Sequence, residues 1–295
     1  MSMPAQPLQQ RNARLLRLAT YASVTVAITL IILKAVVWFM SGSVSLLASL
    51  IDSVMDAVAS LINLVAVAYA LTPADKEHRY GHGKAEALAG LAQSVFIAGS
   101  ALLVLHQGID HLRNPRPVDA AWFGVAVMLT SIVVTLLLLL FQRHVIKQTG
   151  STAIQADALH YRSDLLMNAS IIVALILAYY GMPGADAVFG IGIALLIGFS
   201  ALRIGRDAVQ ILMDHELPTE VRKEALALAR AVPGVVDVHD LRTRESGQQW
   251  FMQLHVELPG ELPLTEAHEL GEDVRRAIEQ RFPQADVLVH KDPVH

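Results

Sequence analysis

The sequence contains no cysteine, and few of its residues are charged (17%) or aromatic (6%). Without cysteine no disulfide framework can form, and the thiolate ligands that copper(I) prefers are excluded. Any metal site must therefore be built from imidazole and carboxylate groups. The formal net charge is only −4, which gives no indication of nucleic-acid binding.

Apolar residues make up 54% of the chain, and the mean hydropathy of +0.45 is too high for a soluble protein of ordinary composition. At ~1.5 Å per residue, about 20 residues of helix cross a ~30 Å hydrocarbon layer. Six apolar segments reach that length: 15–40, 45–71, 86–111, 119–143, 153–180 and 184–212. The sequence therefore predicts an α-helical membrane protein with six transmembrane helices in residues 1–213.

Basic residues are unevenly divided between the two ends of these segments. One side carries many, including Arg11, Lys84, Arg143 and Arg203, whereas the other has little beyond Arg113 and Arg116. The positive-inside rule then places both termini in the cytoplasm, which six spans allow. The first apolar run lacks a convincing cleavage site and is interpreted as a span rather than a removable signal.

After Asp214 the composition changes to that of a small soluble domain, residues 214–295. Residues 220–231 and 264–282 have the pattern of helices, and residues 235–243, 250–258 and 286–290 that of strands. The order αββαβ predicts helices packed on one face of a small sheet.

Acidic residues lie inside two of the predicted spans. Asp52 and Asp56 are four residues apart in the second span, and His160 and Asp164 repeat that spacing in the fifth. Residues at i and i+4 share one helix face. An ionised carboxylate at membrane depth costs at least ~2.5 kcal/mol, so a polar lining of the bundle interior is the plainer alternative to a cation site. Asp157, nearer the end of the fifth span, is interpreted as a helix cap or interfacial charge.

Three carboxylates and one imidazole on two facing helices suit a tetrahedral divalent ion such as Zn²⁺. With every acid ionised, the four groups carry −3 when empty and −1 with Zn²⁺ bound. Some of them should therefore be protonated when the metal is absent, so that metal and protons compete. Two matching pairs on two spans favour the cation site.

Two further groups of histidines lie outside the spans. Asp75, His78 and His82 fall in the loop after the second span, where His78 and His82 would share a face if the segment were helical. They are either solvated loop residues or metal ligands. The soluble domain offers five more candidate ligands: His239, His255, His268, His290 and Asp292.

These motifs together resemble the cation diffusion facilitator family, and among its members the bacterial zinc and ferrous-iron efflux pumps. The resemblance is carried by the two spaced pairs in the spans, by Tyr80-Gly81-His82-Gly83-Lys84-Ala85-Glu86 and by His290-Lys291-Asp292-Pro293. It implies a homodimeric metal/proton antiporter of the cell inner membrane, which exports Zn²⁺, Fe²⁺ or Cd²⁺ and has a metallochaperone-like cytoplasmic domain.

The resemblance also implies residue roles. It assigns Asp52, Asp56, His160 and Asp164 to the transport site and Asp75, His78 and His82 to a loop site. His239, His255 and Asp292 match one ion of a paired cytoplasmic site, and His268, His290 and Asp292 match the other. Lys84 and Asp214 match a salt bridge that links the membrane and cytoplasmic parts at the dimer interface.

Two alternative classes of protein explain fewer of these sequence features. An intramembrane metalloenzyme would need an open coordination position, which four protein ligands do not leave, and no HExxH or GxSxG motif occurs. A membrane metal sensor that does not transport would have no use for carboxylates inside the spans. The sequence thus predicts a transporter, not an enzyme.

Overall fold

The computed structural model describes residues 6–41, 44–113, 122–179 and 185–294. Within these ranges the side chains of some helical residues, including Asp52, lie outside the described part.

Six long helices confirm the predicted arrangement of the first two thirds of the chain. They are α1 (Gln6–Ser41), α2 (Val44–Ala70), α3 (Lys84–Arg113), α4 (Trp122–Thr149), α5 (Thr152–Tyr179) and α6 (Ala185–Leu212). Two extend more than five residues beyond their apolar segments. α1 begins nine residues before the predicted start at 15, and α4 ends six residues beyond the predicted end at 143. Because the backbone hydrogen bonds of a helix are internal, the helix does not have to end where the apolar segment ends.

Five helices in the described part of the chain are long and apolar enough to cross a membrane by length and composition. The sixth long helix, α5, carries Asp157, His160, Arg162 and Asp164 among its apolar residues. These polar residues lower its hydropathy. This helix therefore places three potential metal ligands, Asp157, His160 and Asp164, within an otherwise largely apolar segment.

α5 packs against helices on two of its sides. Near its start, Ile154 joins a buried cluster with Leu16 of α1, Val67 of α2 and Val145 of α4. Slightly further along, Leu159 joins another with residues of α3 and α6, including Ile197. Apolar packing therefore fixes the helix that carries the candidate ligands.

Asp157 of α5 is fully buried, which contradicts its interpretation as a cap or interfacial charge. Its carboxylate accepts hydrogen bonds from the Ser23 hydroxyl at 2.5 Å, Gln142 Nε2 at 2.7 Å and Gln93 Nε2 at 3.4 Å. These donors come from α1, α4 and α3. A buried carboxylate is tolerated only with such partners, so this cluster ties four helices together.

The C-terminal part has the predicted order αββαβ. It consists of α7 (Thr219–Arg230), β1 (Asp237–Ser246), β2 (Gln249–Pro259), α8 (Leu264–Arg281) and β3 (Ala285–Val294). The sheet order is β1-β2-β3, with β1 antiparallel and β3 parallel to β2. The parallel pairing needs a crossover, which α8 supplies.

Alternation along β2 builds the core of this domain. Met252, Leu254 and Val256 are buried and pack with Val274 and Ile278 of α8. The residues between them, such as His255, project from the opposite face of the sheet. The sheet thus presents one apolar face to the helices and one polar face for ligands.

The chain divides into two compact units. One contains Arg14–Leu71 and Ala85–Val209, and the other contains the chain up to Ala13, Thr72–Lys84 and Gln210–His295. The loop after α2 therefore groups with the C-terminal domain.

Contacts within the second unit explain why the loop belongs to it. Tyr80 meets Phe251 edge-on at a centroid distance of 5.3 Å, and the Arg244 guanidinium lies 4.4 Å from the Tyr80 ring centroid. A side chain at Gly83 would collide with the Ser246 carbonyl oxygen. The close approach of the loop to the β1–β2 turn thus requires glycine at this position.

Candidate metal centres

Three of the four predicted intramembrane ligands meet inside the helical bundle. His160 Nε2 lies 2.8 Å from Asp56 Oδ1 and 3.7 Å from Asp164 Oδ2. One ligand atom from each residue lies within 4.8 Å of the other two. The predicted fourth ligand, Asp52, precedes Asp56 by about one turn of α2, but its side chain lies outside the described residues.

Aromatic neighbours surround the His160 ring. Phe96 lies at 6.5 Å and Tyr161 at 5.7 Å between ring centroids. The Tyr161 hydroxyl donates to the Ser23 carbonyl oxygen at 3.0 Å and lies 3.0 Å from the Ser60 hydroxyl. These bonds tie α5 to α1 and α2 directly beside the imidazole. They keep the two ligand-bearing helices in register.

The loop residues Asp75, His78 and His82 also come together. Asp75 Oδ1 lies 3.5 Å from His78 Nδ1, and Asp75 Oδ2 lies 3.4 Å from His82 Nε2. The segment is a turn and not a helix, so the shared helical face considered from the sequence is absent. Gly81, with φ of 79°, instead reverses the chain and brings His82 back beside His78.

Hydrogen bonds within the loop keep Asp75 ionised. Its Oδ1 accepts from the backbone N–H of His78 at 2.6 Å and of Glu77 at 2.9 Å. The His78 N–H in particular holds the pKa of Asp75 below its ordinary value of 3.8. The carboxylate is therefore negative and available to a cation at neutral pH.

In the soluble domain, strand register aligns three histidines across the sheet. His239 on β1 is opposite His255 on β2, and His255 is opposite His290 on β3. The ring centroids lie 5.3 Å and 4.6 Å apart for the two neighbouring pairs. The polar face of the sheet thus carries a row of imidazoles.

Asp292 joins this row with both of its carboxylate oxygens. Oδ2 lies 2.8 Å from His255 Nδ1 and 3.4 Å from His239 Nε2, while Oδ1 lies 3.2 Å from His290 Nε2. The hydrogen bond from His255 holds the pKa of Asp292 below its ordinary value of 3.8. One carboxylate therefore faces a histidine pair on one side and a single histidine on the other.

His268 is exposed on α8, and among the described residues it makes no contact with this cluster. Two acidic residues that were not among the predicted ligands do approach the histidine cluster. Asp240 Oδ2 lies 3.8 Å from His255 Nε2, and Glu257 Oε1 lies 3.4 Å from His239 Nδ1.

Alternation along β1 does not predict that Asp240 lies near the histidines, because strict alternation would place it on the face opposite His239. An irregularity in the β1–β2 pairing between His239 and Arg242, with Asp240 at φ of 46°, turns it toward the histidines.

Lys84 and Asp214 form the predicted ion pair within the second unit. Lys84 Nζ lies 2.8 Å from Asp214 Oδ1 and donates to the Leu212 carbonyl oxygen at 3.3 Å. Arg244 Nη1 lies 3.5 Å from the other Asp214 oxygen. Ion pairs thus connect the start of α3 to the segment after α6.

The helical membrane region carries a cluster of acids and a histidine inside its bundle, and the α+β domain carries a second such cluster. This combination defines a membrane protein that handles metal cations. Residues 20–213 match the family described as the cation efflux transmembrane domain, and residues 217–294 match the cation efflux protein cytoplasmic domain. The chain therefore belongs to the cation efflux family, as the motifs in its sequence indicated.

Similar proteins cover nearly the whole chain. The cation-efflux pump FieF of Klebsiella pneumoniae is 49% identical over 286 residues, which are 97% of this chain and 95% of the relative. FieF of Yersinia enterocolitica is 50% identical over 286 residues, with the same two coverages of 97% and 95%. These relatives are named as pumps, and the prediction of a transporter rather than an enzyme is confirmed.

Among solved structures, that of the zinc transporter CzrB in its Zn form is similar to the C-terminal part. It is 33% identical, covers 27% of this chain and 92% of its own, and has a TM-score of 0.26.

Proposed function

We propose that the protein exports Zn²⁺ from the cytoplasm in exchange for protons, by alternating exposure of one intramembrane site. Asp56, His160 and Asp164 bind the ion together with Asp52. The observation that carries the proposal is the convergence of three ligand atoms within 4.8 Å inside a bundle of apolar helices. Such a cluster at membrane depth is costly unless it binds a cation or protons.

The charge of the site supports protons as the counter-ion. Asp56 and Asp164 flank a single imidazole, and Asp52 adds a third acid on the same helix as Asp56. Loss of Zn²⁺ would leave about −3 in the bundle, which uptake of protons relieves. Entry of metal on one side and of protons on the other then gives exchange without a separate proton pathway.

The donor set also sets the range of ions. Imidazole and carboxylate accept Zn²⁺, Fe²⁺, Cd²⁺ and Co²⁺, whereas the absence of cysteine disfavours copper(I). A tetrahedral site of one histidine and three acids suits Zn²⁺ best, because Zn²⁺ is a d¹⁰ ion with no ligand-field cost for tetrahedral coordination by nitrogen and oxygen ligands.

The transporter works as a homodimer in the cell inner membrane, with both termini in the cytoplasm. Residues 1–213 form the transmembrane domain and residues 214–295 the metal-binding dimerisation domain. The uneven distribution of Lys and Arg supports this orientation. The loop site of Asp75, His78 and His82 binds a further ion on the cytoplasmic side, and Lys84–Asp214 joins the membrane and cytoplasmic parts.

The cytoplasmic domain binds a pair of ions that tighten the dimer. His239, His255 and Asp292 hold one, and His290 with the other oxygen of Asp292 begins the second site. The family resemblance assigns His268 to that second site, although His268 lies outside the cluster in this structure. His268→Ala should weaken zinc-dependent dimerisation while leaving zinc binding in the membrane site intact. Sedimentation of the purified protein with and without Zn²⁺ measures this. Equal dimer affinity in both conditions would refute a role for zinc in dimerisation.

Zinc flux in proteoliposomes under an imposed pH gradient tests the main proposal. Flux should follow the gradient in the wild type and fall to the level of empty liposomes in Asp56→Ala. Asp207→Ala is the matched control, because Asp207 is an exposed acid on α6 outside the metal clusters. Zinc that binds to the wild type but does not cross the membrane would exclude zinc transport. Fe²⁺ flux and the metal-sensor function would then be tested.

A further inference from the structure

A groove of about 680 Å³ lies where α4 ends, α5 begins and α6 passes beside them. Its apolar lining includes Leu140 of α4, Leu165 of α5 and Phe199 of α6. The position of α5 against α6 is fixed by the cluster around Leu159 and Ile197. The groove faces away from the metal cluster, because Arg162 and Leu165 on α5 lie on the opposite side of the helix from His160 and Asp164.

Four cationic side chains line the same groove. Arg143 and Lys147 are one turn apart on α4, Arg162 comes from α5 and Arg203 from α6. All four are exposed. The described lining residues include no acid, and none of the four forms an ion pair with another described residue. The Arg203 guanidinium lies 5.5 Å from the Phe199 ring centroid, at the boundary of the charged and apolar parts.

Four like charges beside an apolar channel repel each other unless an anion lies among them. In a membrane protein, this charged end lies where the spans α4 and α5 end and begin, which is the level of the lipid headgroups. A basic pocket between helices at this level has the chemistry that recognises the phosphate of an anionic lipid. The apolar residues beneath it match an acyl chain.

We propose that this groove binds an anionic phospholipid of the surrounding membrane. Its phosphate lies among Arg143, Lys147, Arg162 and Arg203, and an acyl chain follows Leu140, Leu165 and Phe199. The lipid neutralises the cations and fills the space between α4, α5 and α6. This site depends only on the membrane location of the helices and not on which ion is transported.

Native mass spectrometry of the purified full chain, after incubation with defined lipids, tests the proposal. The probes are phosphatidylglycerol, phosphatidylcholine and inorganic phosphate. Phosphatidylglycerol should remain bound, and phosphatidylcholine with the same acyl chains should not. Each cation is worth about a fivefold change in affinity for an anionic headgroup, so Arg162→Gln/Arg203→Gln should weaken retention about 25-fold.

Arg206→Gln is the matched control. Arg206 is an exposed arginine three residues after Arg203 on α6, and it does not line the groove. It should retain phosphatidylglycerol like the wild type. Equal losses in Arg206→Gln and Arg203→Gln would indicate diffuse attraction and overturn the proposal. Equal retention of phosphatidylcholine, or full displacement of the lipid by inorganic phosphate, would overturn it as well.

Because the variants could alter the packing of the helices, hydrogen exchange along α4, α5 and α6 is measured in the same samples. Unchanged exchange with reduced lipid retention supports the groove. A double variant that retains the lipid as the wild type does excludes it.

Discussion

The two parts of the molecule build metal clusters by different means. The intramembrane cluster joins one histidine, His160, to Asp56 and Asp164 on two helices, with Asp52 expected beside them. The soluble cluster aligns three histidines of adjacent strands around Asp292. The first is rich in acid and largely buried. The second is rich in imidazole and partly exposed.

This difference determines what happens when the metal leaves. The membrane cluster keeps a negative charge that low-dielectric surroundings disfavour, so it must take up protons or another cation. The soluble cluster combines three imidazoles with Asp292, and Asp240 and Glu257 lie close to it. It is partly exposed, so water reaches it. In the proposed function, the membrane site therefore serves exchange, and the soluble site holds metal in place.

Exchanging the histidines for alanine in each region should separate the two roles most clearly. His160→Ala should reduce zinc flux to background, because the proposed transport site loses the one imidazole found among its described ligands. His255→Ala should leave measurable flux and abolish zinc binding by the soluble domain. Flux assays and isothermal titration on the same preparations measure both.

Gln142→Ala, also inside the bundle but not a ligand, distinguishes loss of the ligand from loss of packing. If His255→Ala stops flux as completely as His160→Ala does, the functional separation of the two regions is wrong.

The second comparison concerns the two interiors. The helical region adds the buried hydrogen bonds of Asp157 to its apolar clusters, whereas the core of the soluble domain is a cluster of apolar side chains. Asp157→Ala should destabilise the helical region by about 3 kcal/mol, because Ser23, Gln93 and Gln142 would lose their acceptor in a buried setting. Asp157→Asn keeps an acceptor oxygen and should cost less. Hydrogen exchange along α4 and α5 in the purified protein measures the change.

Leu254→Ala is the corresponding variant of the soluble domain, where loss of a buried leucine typically costs ~2–5 kcal/mol. Its effect should appear in the exchange of β2 and not in α5. Unchanged exchange in α4 and α5 after Asp157→Ala would show that the buried hydrogen bonds do not hold the helices together.

Some features of the fold and of the candidate sites could be predicted from the sequence, and others could not. Apolar length gave the six long helices, and the i, i+4 spacing on α2 and α5 predicted which side chains share a face. The partners of Asp157 come from three other helices, 134, 64 and 15 residues away, and no local spacing reveals them.

The soluble cluster shows the same limit. Alternation placed His255 on the polar face of β2, but its alignment with His290 depends on the parallel register of β2 and β3. That register is set by tertiary packing of α8. Asp240 depends on a local irregularity in β1, which alternation cannot predict.

The smallest expected effect tests whether Asp292 of the soluble cluster stays ionised on acidification. The folded pKa of Asp292 lies below its ordinary value of 3.8, so its contribution to stability is fully present above that value. The contribution is lost as the pH falls through the lowered value. Between pH 7 and 5, hydrogen exchange of β2 and β3 should therefore show no step from Asp292 in the metal-free protein. A step should appear below pH 4 in the wild type and be absent in Asp292→Asn. A step between pH 7 and 5 that Asp292→Asn removes would contradict this prediction.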